Sequence, residues 1–330
     1  MVQSPVFRIL DANLNRAREA LRVLEDLARF HRDDARLATS LKEARHALDR
    51  EARPHARELL AARNSEADVG RDGDLPVDGP RRLGEVAAAN LKRAQEALRS
   101  IEELAKGGQP RLGGTAHAIR YRLYAIEKSM ADPRPLLRSA RLYVLLDPSV
   151  TRRPLARVAR EAAAGGADVL QLRQKPRPDL GLARAIRAAV PDALFIVNDD
   201  PAVALASGAD GVHVGSGDPG IRQARELGAG IVGATTHSLA EARRAIREGA
   251  DYVSVGPMFA TSLKPGLEPR GFSYLAAVKR TGVPYFCIGG ITRATVRPEM
   301  GRAAVCAGVI AERDAEEAAR AIRRRLTSGS

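Results

Sequence analysis

Between about residues 141 and 307, short continuous apolar runs alternate with longer stretches whose apolar positions recur at helical spacing. The runs cover 142–146, 168–172, 194–198, 211–214, 231–234, 252–255, 285–288 and 304–307. Their length and β-rich composition predict buried strands, and the stretches between them, such as 239–248 and 315–326, predict helices. Strand and helix in strict alternation signify parallel βα units. Eight units in about 190 residues predict an α/β fold, a C-terminal (β/α)8 barrel spanning 141–330. A doubly wound sheet is the alternative. It would usually carry a glycine-rich nucleotide fingerprint after its first strand, where this chain has Asp147-Pro148-Ser149.

The front of the chain has a different period. Leu14, Ala17, Leu21, Leu24 and Ala28 fall on one helical stripe, with Ser4 as a candidate N-cap and Pro5 at the first helical position. The segment from Asn13 to Arg22 returns as Asn90 to Arg99, an offset of 77, and the match continues through Glu25/Glu102, Leu27/Leu104 and Ala28/Ala105. This is an internal repeat. A second helix is expected after each copy, at 34–60 with a kink at Pro54, and at 115–130. Residues 1–130 therefore predict two helical hairpins forming a duplicated, all-α four-helix bundle. The Gly-, Asp- and Pro-rich stretch 63–80 joins the hairpins, and 131–140 is the expected interdomain linker. The repeated Asn13/Asn90, Arg16/Arg93 and Glu19/Glu96 either converge across the pseudo-twofold on one site or are a copied solvated face; the second is the simpler expectation. His31, His46, His55 and His117 show no metal spacing.

Composition narrows the class. At 330 residues and 45% apolar content, two ordinary domains are accommodated. No run approaches the roughly 20 apolar residues of a membrane span, and the first residues lack the apolar core of a secretory leader. Cys287 and Cys306 both fall in expected buried strands, which predicts reduced thiols and a cytoplasmic protein. The net charge of +13 suits either nucleic acid or phosphorylated substrates. Without Trp, and with 4% aromatics, there are few platforms for base stacking, and no zinc-finger, RNA-recognition or basic-zipper pattern occurs. Small molecules are thus the expected partners, not nucleic acid or membrane. Homo-oligomerisation is left open.

Chemistry clusters at the ends of successive strands. Arg173 and Lys175, flanking Gln174 after the second strand, share a face and can meet one anion, Arg as a fork and Lys as a point charge. Asn198, Asp199 and Asp200 end the third strand, and Asp218 lies after the fourth. Two carboxylates from adjacent loops suit Mg²⁺, which keeps several waters and takes substrate phosphate oxygens. Asp200 before Pro201 is expected to be a helix cap instead. Thr261, Ser262 and Lys264 follow Gly256-Pro257, either as a phosphate-binding set or as a surface loop. Gly289-Gly290 follows the seventh strand, where backbone N–H groups often hold phosphate in such barrels. His213 reads as a satisfied core histidine, and no Ser/His/Asp triad or nucleophilic Cys context is evident.

Taken in order, these motifs resemble thiamine phosphate synthase: Gln171-Leu172-Arg173-Gln174-Lys175, Asn198-Asp199, Asp210 to Gly215 with Asp218, Gly256-Pro257 with Thr261 and Lys264, and Gly289-Gly290-Ile291. The resemblance implies a (β/α)8 barrel that joins a pyrimidine diphosphate to a thiazole phosphate with Mg²⁺. By position, it implies that Gln171, Arg173, Lys175 and Asn198 hold the pyrimidine diphosphate and that Asp199 and Asp218 ligate Mg²⁺. Thr235 takes the place of a usual serine near the pyrimidine. Thr261, Ser262, Leu263, Gly290, Cys306 and Ala307 would face the thiazole phosphate, and Lys264 the leaving diphosphate. Arg173, Lys175 and Lys264 are the implied catalytic cations. Gln174 stands where an acidic residue is common, Ser216 replaces a frequent glutamine, and Leu263 replaces a frequent threonine. The front unit resembles a helical domain fused to such synthases in some bacteria, to which phosphorylation of the pyrimidine monophosphate has been attributed; no Walker-type loop occurs there. The alternatives are a thiazole tautomerase-like barrel or a regulatory barrel of thiamine metabolism.

Overall fold

A computed structural model describes residues 5–63, 83–130, 132–215, 220–260 and 268–328. It divides the chain into two compact units, 1–132 and 133–330.

In the first unit, α1 (Pro5–Asp26) ends in a π-turn at Leu27–His31, followed by α2 (Ala35–Ala52). Asp34 caps α2 by accepting from the Leu37 N–H at 3.0 Å. At Pro54 the helix passes through a 3-10 turn, Arg53–His55, into α3 (Ala56–Ala62), as a missing backbone donor requires. The second copy supplies α4 (Leu83–Leu104) and α5 (Pro110–Met130). Helix α5 starts earlier than the sequence pattern suggests, because Pro110 suits a first helical position. Helix α1 packs on α2 and α4, and α5 packs on α4 and α2, closing a four-helix bundle. Its core is the predicted stripe: Leu14, Leu21, Leu24 and their counterparts Leu91, Leu98 and Ile101 are buried. Glu25 pairs with Arg45 of α2 at 3.0 Å, and Glu102 pairs with Arg120 of α5 at 2.9 Å, so each hairpin is knitted by the same contact.

The second unit opens with α6 (Arg134–Ser139), a correction to the expected linker. Leu137 and Ala140 are buried against the barrel interior, so apolar contact turns this proline-containing segment into part of the barrel. Eight strands follow: β1 (Leu142–Leu146), β2 (Val169–Leu172), β3 (Leu194–Asn198), β4 (Gly211–Val214), β5 (Ile231–Thr236), β6 (Tyr252–Val255), β7 (Tyr285–Ile288) and β8 (Ala303–Val305). They pair in sequence order, all parallel, and β8 closes on β1. Between them run α7 (Leu155–Ala164), α8 (Leu180–Ala189), α9 (Pro201–Ser207), α10 (Ile221–Glu226), α11 (Leu239–Glu248), α12 (Gly271–Lys279), α13 (Ala307–Ile310) and α14 (Ala315–Thr327). The last strand ends earlier than its apolar pattern predicts. At Cys306 the backbone turns out of the sheet (φ −111°, ψ −96°), and Ala307 begins α13, so Cys306 is a half-buried thiol at a strand exit and not a strand residue.

Alternation divides each strand between two cores. Val144, Leu170, Phe195, Val232 and Val253 pack outward under the helices. Tyr143, Ile196, Ile231, Tyr252 and Phe286 fill the barrel. Gly233, opposite Tyr252 in register, leaves the space that the Tyr252 ring occupies; a Cβ there would overlap the ring. At the opposite end from the polar clusters, Asp168, Asp210 and Asp251 each precede an even-numbered strand. Each accepts a backbone N–H from the strand before, Leu142 (2.9 Å), Phe195 (2.7 Å) and Val232 (2.8 Å) respectively. Each also pairs with an arginine, Arg323, Arg187 or Arg225. Among the described residues no helix is long and apolar enough to cross a membrane.

Candidate active site

The carboxyl ends of the strands open on two adjoining cavities of about 340 and 370 Å³. They share Arg173 and Thr235 on their walls.

The more polar cavity is lined by Gln171, Lys175, Asn198 and Asp199, with Tyr143, His213 and Tyr252 at its floor. Gln171 and Asn198 are buried strand residues, joined by a 2.8 Å hydrogen bond from Gln171 Nε2 to Asn198 Oδ1. That bond orients both amides, leaving the remaining Asn198 donors and the Gln171 oxygen for other partners. The floor is a chain of hydroxyls and imidazole. Tyr143 and Tyr252 share a hydrogen bond of 3.0 Å, Tyr252 meets His213 Nδ1 at 3.1 Å, and His213 Nε2 meets Thr235 Oγ1 at 3.0 Å. His213 is thus the satisfied core histidine that its strand position suggested. Burial pushes both tyrosine hydroxyls well above their ordinary range, so they stay neutral hydrogen-bonding groups.

Cations and carboxylates alternate around the rim. Arg173 is bound by Asp147, a buried residue at the exit of β1, and Lys175 is bound by Asp199. Burial alone would raise the Asp147 carboxyl. Hydrogen bonds from the Ser149 N–H (2.9 Å) and hydroxyl (2.6 Å), with the Arg173 charge, instead hold it below the usual carboxylate range. Asp199 has a left-handed backbone (φ 67°), anchored by its N–H on the His213 carbonyl at 2.9 Å. A non-glycine residue held there is the kind of local strain that clusters at functional sites. Asp200, by contrast, caps α9 through Val203 N at 2.9 Å and pairs with Arg177 at 2.8 Å, the structural role expected of it. Gln174, where the family commonly has an acid, accepts the Asp179 N–H at 2.9 Å and so still closes its loop.

The second cavity is lined by Gly289, Gly290, Cys306 and Ala307 together with Thr235, Thr236 and Ser254. Gly289 and Gly290 both have positive φ (98° and 65°), and a Cβ on Gly290 would lie 2.6 Å from the Ala260 carbonyl oxygen. Glycine is therefore required for this turn, and it leaves the backbone open to a ligand. Burial pushes the Cys306 thiol up to about 12, so it is not a thiolate nucleophile. Asp218, Thr261, Ser262, Leu263 and Lys264 lie outside the described residues.

Sequence reasoning missed Asp147, Ser149, Tyr143, Tyr252 and Ser254. Asp147 was read only as the stop after β1. Ser149 lies in the same turn, and Tyr143, Tyr252 and Ser254 sit within apolar runs, where period-two alternation was the available signal.

The relatives bear directly on this site. A family model described as thiamine monophosphate synthase matches residues 142–311. A thiamine-phosphate synthase of Thermosynechococcus vestitus is 41% identical, covering 98% of this chain and 95% of its own length. The chain belongs to the thiamine-phosphate synthase family. The Gloeobacter violaceus thiamine-phosphate synthase is 39% identical over 94% of this chain and 93% of its own. Among solved structures, a thiamine phosphate pyrophosphorylase from Pyrococcus furiosus matches with a TM-score of 0.53 at 33% identity, covering 58% of this chain and 97% of that one. The front unit matches the ThiD2 family over residues 8–129. Thiamine-phosphate synthase relatives therefore span both units.

Proposed function

We propose that the barrel transfers a pyrimidine methyl group from 4-amino-2-methyl-5-hydroxymethylpyrimidine diphosphate to a thiazole phosphate, giving thiamine phosphate and diphosphate. Two adjoining cavities at one barrel mouth, sharing Arg173 and Thr235, are the observation that supports this most strongly. The polar cavity suits the pyrimidine diphosphate, and the cavity walled by Gly289, Gly290 and Cys306 suits the thiazole phosphate. A substrate on each side brings donor and acceptor carbon and nitrogen together.

In this reading Gln171 and Asn198 position the pyrimidine, and Arg173 and Lys175 take up the diphosphate. The pyrimidine amino group pushes electrons toward the exocyclic carbon. The C–O bond breaks, with its electron pair leaving on diphosphate. The thiazole nitrogen lone pair then forms the new C–N bond to the carbocation. Walls of Tyr143, Phe286 and Ile288 exclude water that would otherwise capture the cation. No protein nucleophile is needed, which agrees with the neutral Cys306 thiol.

The donor chemistry fits Mg²⁺. Among the described residues no group of three His, Cys, Asp or Glu could hold a metal, but Mg²⁺ needs only one or two carboxylates beside substrate phosphates and water. Asp199 supplies a carboxylate at the polar cavity, and Asp218 is assigned as its partner. The chemistry such an ion supplies when bound is neutralisation of charge on the departing diphosphate oxygens. Lys264 is assigned the same task from the protein side, with Thr261, Ser262 and the Leu263 backbone facing the thiazole phosphate. A cytoplasmic location is part of this proposal.

The test is to mix the full chain with both substrates and Mg²⁺ and follow thiamine phosphate by mass spectrometry. Formation only when both substrates are present supports the reading. Isomerised thiazole with no condensation product would favour a tautomerase instead.

A further inference from the structure

The hydrogen-bonded chain at the barrel floor crosses β1, β6, β4 and β5, and its two ends differ. Tyr143 meets Tyr252 at 3.0 Å, Tyr252 meets His213 Nδ1 at 3.1 Å, and His213 Nε2 meets Thr235 Oγ1 at 3.0 Å. At one end Tyr143 is buried against the rings of Phe286 and Tyr252, whose centroids lie 5.0 and 5.9 Å from its own. At the other end Thr235 is half-buried and stands on the wall that both cavities share. Gly233 makes the middle of the chain possible, because a Cβ there would lie 2.4 Å from the Tyr252 hydroxyl oxygen.

Proton counting gives this chain a direction. Burial keeps both tyrosine hydroxyls protonated, and a neutral imidazole carries one proton on one of its two nitrogens. The four groups then hold four protons, whereas the three contacts use three. One proton must point out of the chain, from Tyr143 or from Thr235. At the Tyr143 end it meets no second acceptor among the described residues, and a buried donor left unpaired is costly. At the Thr235 end it enters the cavities, where a substrate oxygen can accept it. The favoured order therefore has Tyr143 donating to Tyr252, Tyr252 to His213 Nδ1, and His213 Nε2–H to Thr235.

We propose that His213 is a positioning residue for the transfer reaction: fixed as the Nε2–H tautomer by the two tyrosines, it turns the Thr235 hydroxyl proton toward an oxygen of the pyrimidine diphosphate. This rests on the reaction proposed for the barrel. Thr235 shares the wall between the cavities with Arg173, so in that reading its donor lies where the C–O bond breaks. The departing oxygen gains charge as the bond breaks, and a hydrogen bond to it strengthens more in the transition state than in the bound substrate. Loss of the alignment should therefore appear in kcat and not in KM.

Two measurements on the full chain test this. Long-range ¹H–¹⁵N spectra of histidine-labelled protein report the tautomer without any substrate. His213 is assigned as the signal lost in His213→Asn and shifted in Tyr252→Phe. A proton on Nε2 alone is expected, and a proton on Nδ1 overturns the proposal. Steady-state formation of thiamine phosphate then compares the wild type with Thr235→Val, His213→Asn and the double variant. An asparagine amide reaches only as far as the Nδ1 position, so it keeps a partner for Tyr252 and withdraws the one for Thr235. Each single variant should lower kcat at least about tenfold, leave the KM for the pyrimidine diphosphate within about twofold, and the double variant should be no slower than Thr235→Val. Tyr252→Phe leaves the imidazole in place and removes only the donor to Nδ1; it should lower kcat at least about threefold with KM unchanged. Losses that multiply in the double variant, or single variants that change KM alone, overturn the positioning role and leave the transfer reaction standing. A wild type that makes no thiamine phosphate overturns both.

Discussion

The Arg173 guanidinium donates from Nη1 to Oδ2 of Asp147, tying the exit of β2 to the exit of β1. Asp147 is buried and also accepts twice from Ser149, so the carboxylate is a fixed post that sets where the arginine points. Asp147→Asn keeps the shape and removes the charge. The expected result is a KM for the pyrimidine diphosphate raised about tenfold, with a smaller change in kcat, measured by steady-state kinetics. The sign of the pH effect follows from the depressed carboxyl. Its stabilisation is present above the ordinary Asp range and is lost as pH falls through the lower folded value. The stability gap between wild type and Asp147→Asn should therefore be widest near neutral pH and close in acid. A gap that widens in acid contradicts the assignment.

The barrel floor depends on one glycine and one hydroxyl. Gly233→Ala places a methyl group where the Tyr252 ring lies and should cost about 1–3 kcal/mol in urea unfolding. Tyr252→Phe removes the hydroxyl that the Tyr143 hydroxyl and His213 Nδ1 both meet, at a similar cost of about 1–3 kcal/mol. Unchanged midpoints in both variants would show that the packing described here does not hold the floor.

At the far end of the barrel, Arg187→Ala should separate stability from chemistry. Burial raises the Asp210 carboxyl even against Arg187 and the Phe195 N–H, so this carboxylate becomes more costly to the fold as pH rises through the ordinary Asp range toward its raised value. Without Arg187 the cost grows. The variant should lose about 1–3 kcal/mol near neutral pH, regain most of it in acid where Asp210 is protonated, and retain the wild-type KM. A loss independent of pH counts against the clamp.

These contacts also show how far the chain could be read without coordinates. Strands buried on both faces, such as 142–146 and 285–288, stand out as apolar runs, and their bounds agree with β1 and β7. The end of β8 did not, because Ala304 to Ala307 is uniformly small or apolar and only the backbone turn at Cys306 stops the strand. Two prolines made 131–140 look like a linker, while Leu137 beneath the barrel decides otherwise. That Gln171, Arg173, Lys175, Asn198 and Asp199 would gather at one cavity was legible from their places at the carboxyl ends of β2 and β3. Asp147 was not, since Asp-Pro after a strand is also an ordinary turn. Its pairing with Arg173 is a contact 26 residues apart that no local pattern encodes.

Ionisation before attack has its own signature. A pyrimidine diphosphate labelled with ¹⁸O at the bridging oxygen should scramble the label into non-bridging positions of recovered substrate, when bound with Mg²⁺ and an unreactive thiazole analogue. Retention of the label throughout, at a turnover-competent active site, points to direct displacement.

The most direct test of the account compares thiamine phosphate formation by the full chain with that of Asp199→Asn, while Mg²⁺ is titrated at saturating substrates. Asparagine tolerates the left-handed backbone at this position, so the variant removes charge and spares the fold. The account predicts one diphosphate per thiamine phosphate in the wild type and a rate at least about 100-fold lower in the variant, in the range reported when an electrostatic stabiliser is removed. A wild type that makes no thiamine phosphate, or a variant with the wild-type rate and Mg²⁺ dependence, contradicts it.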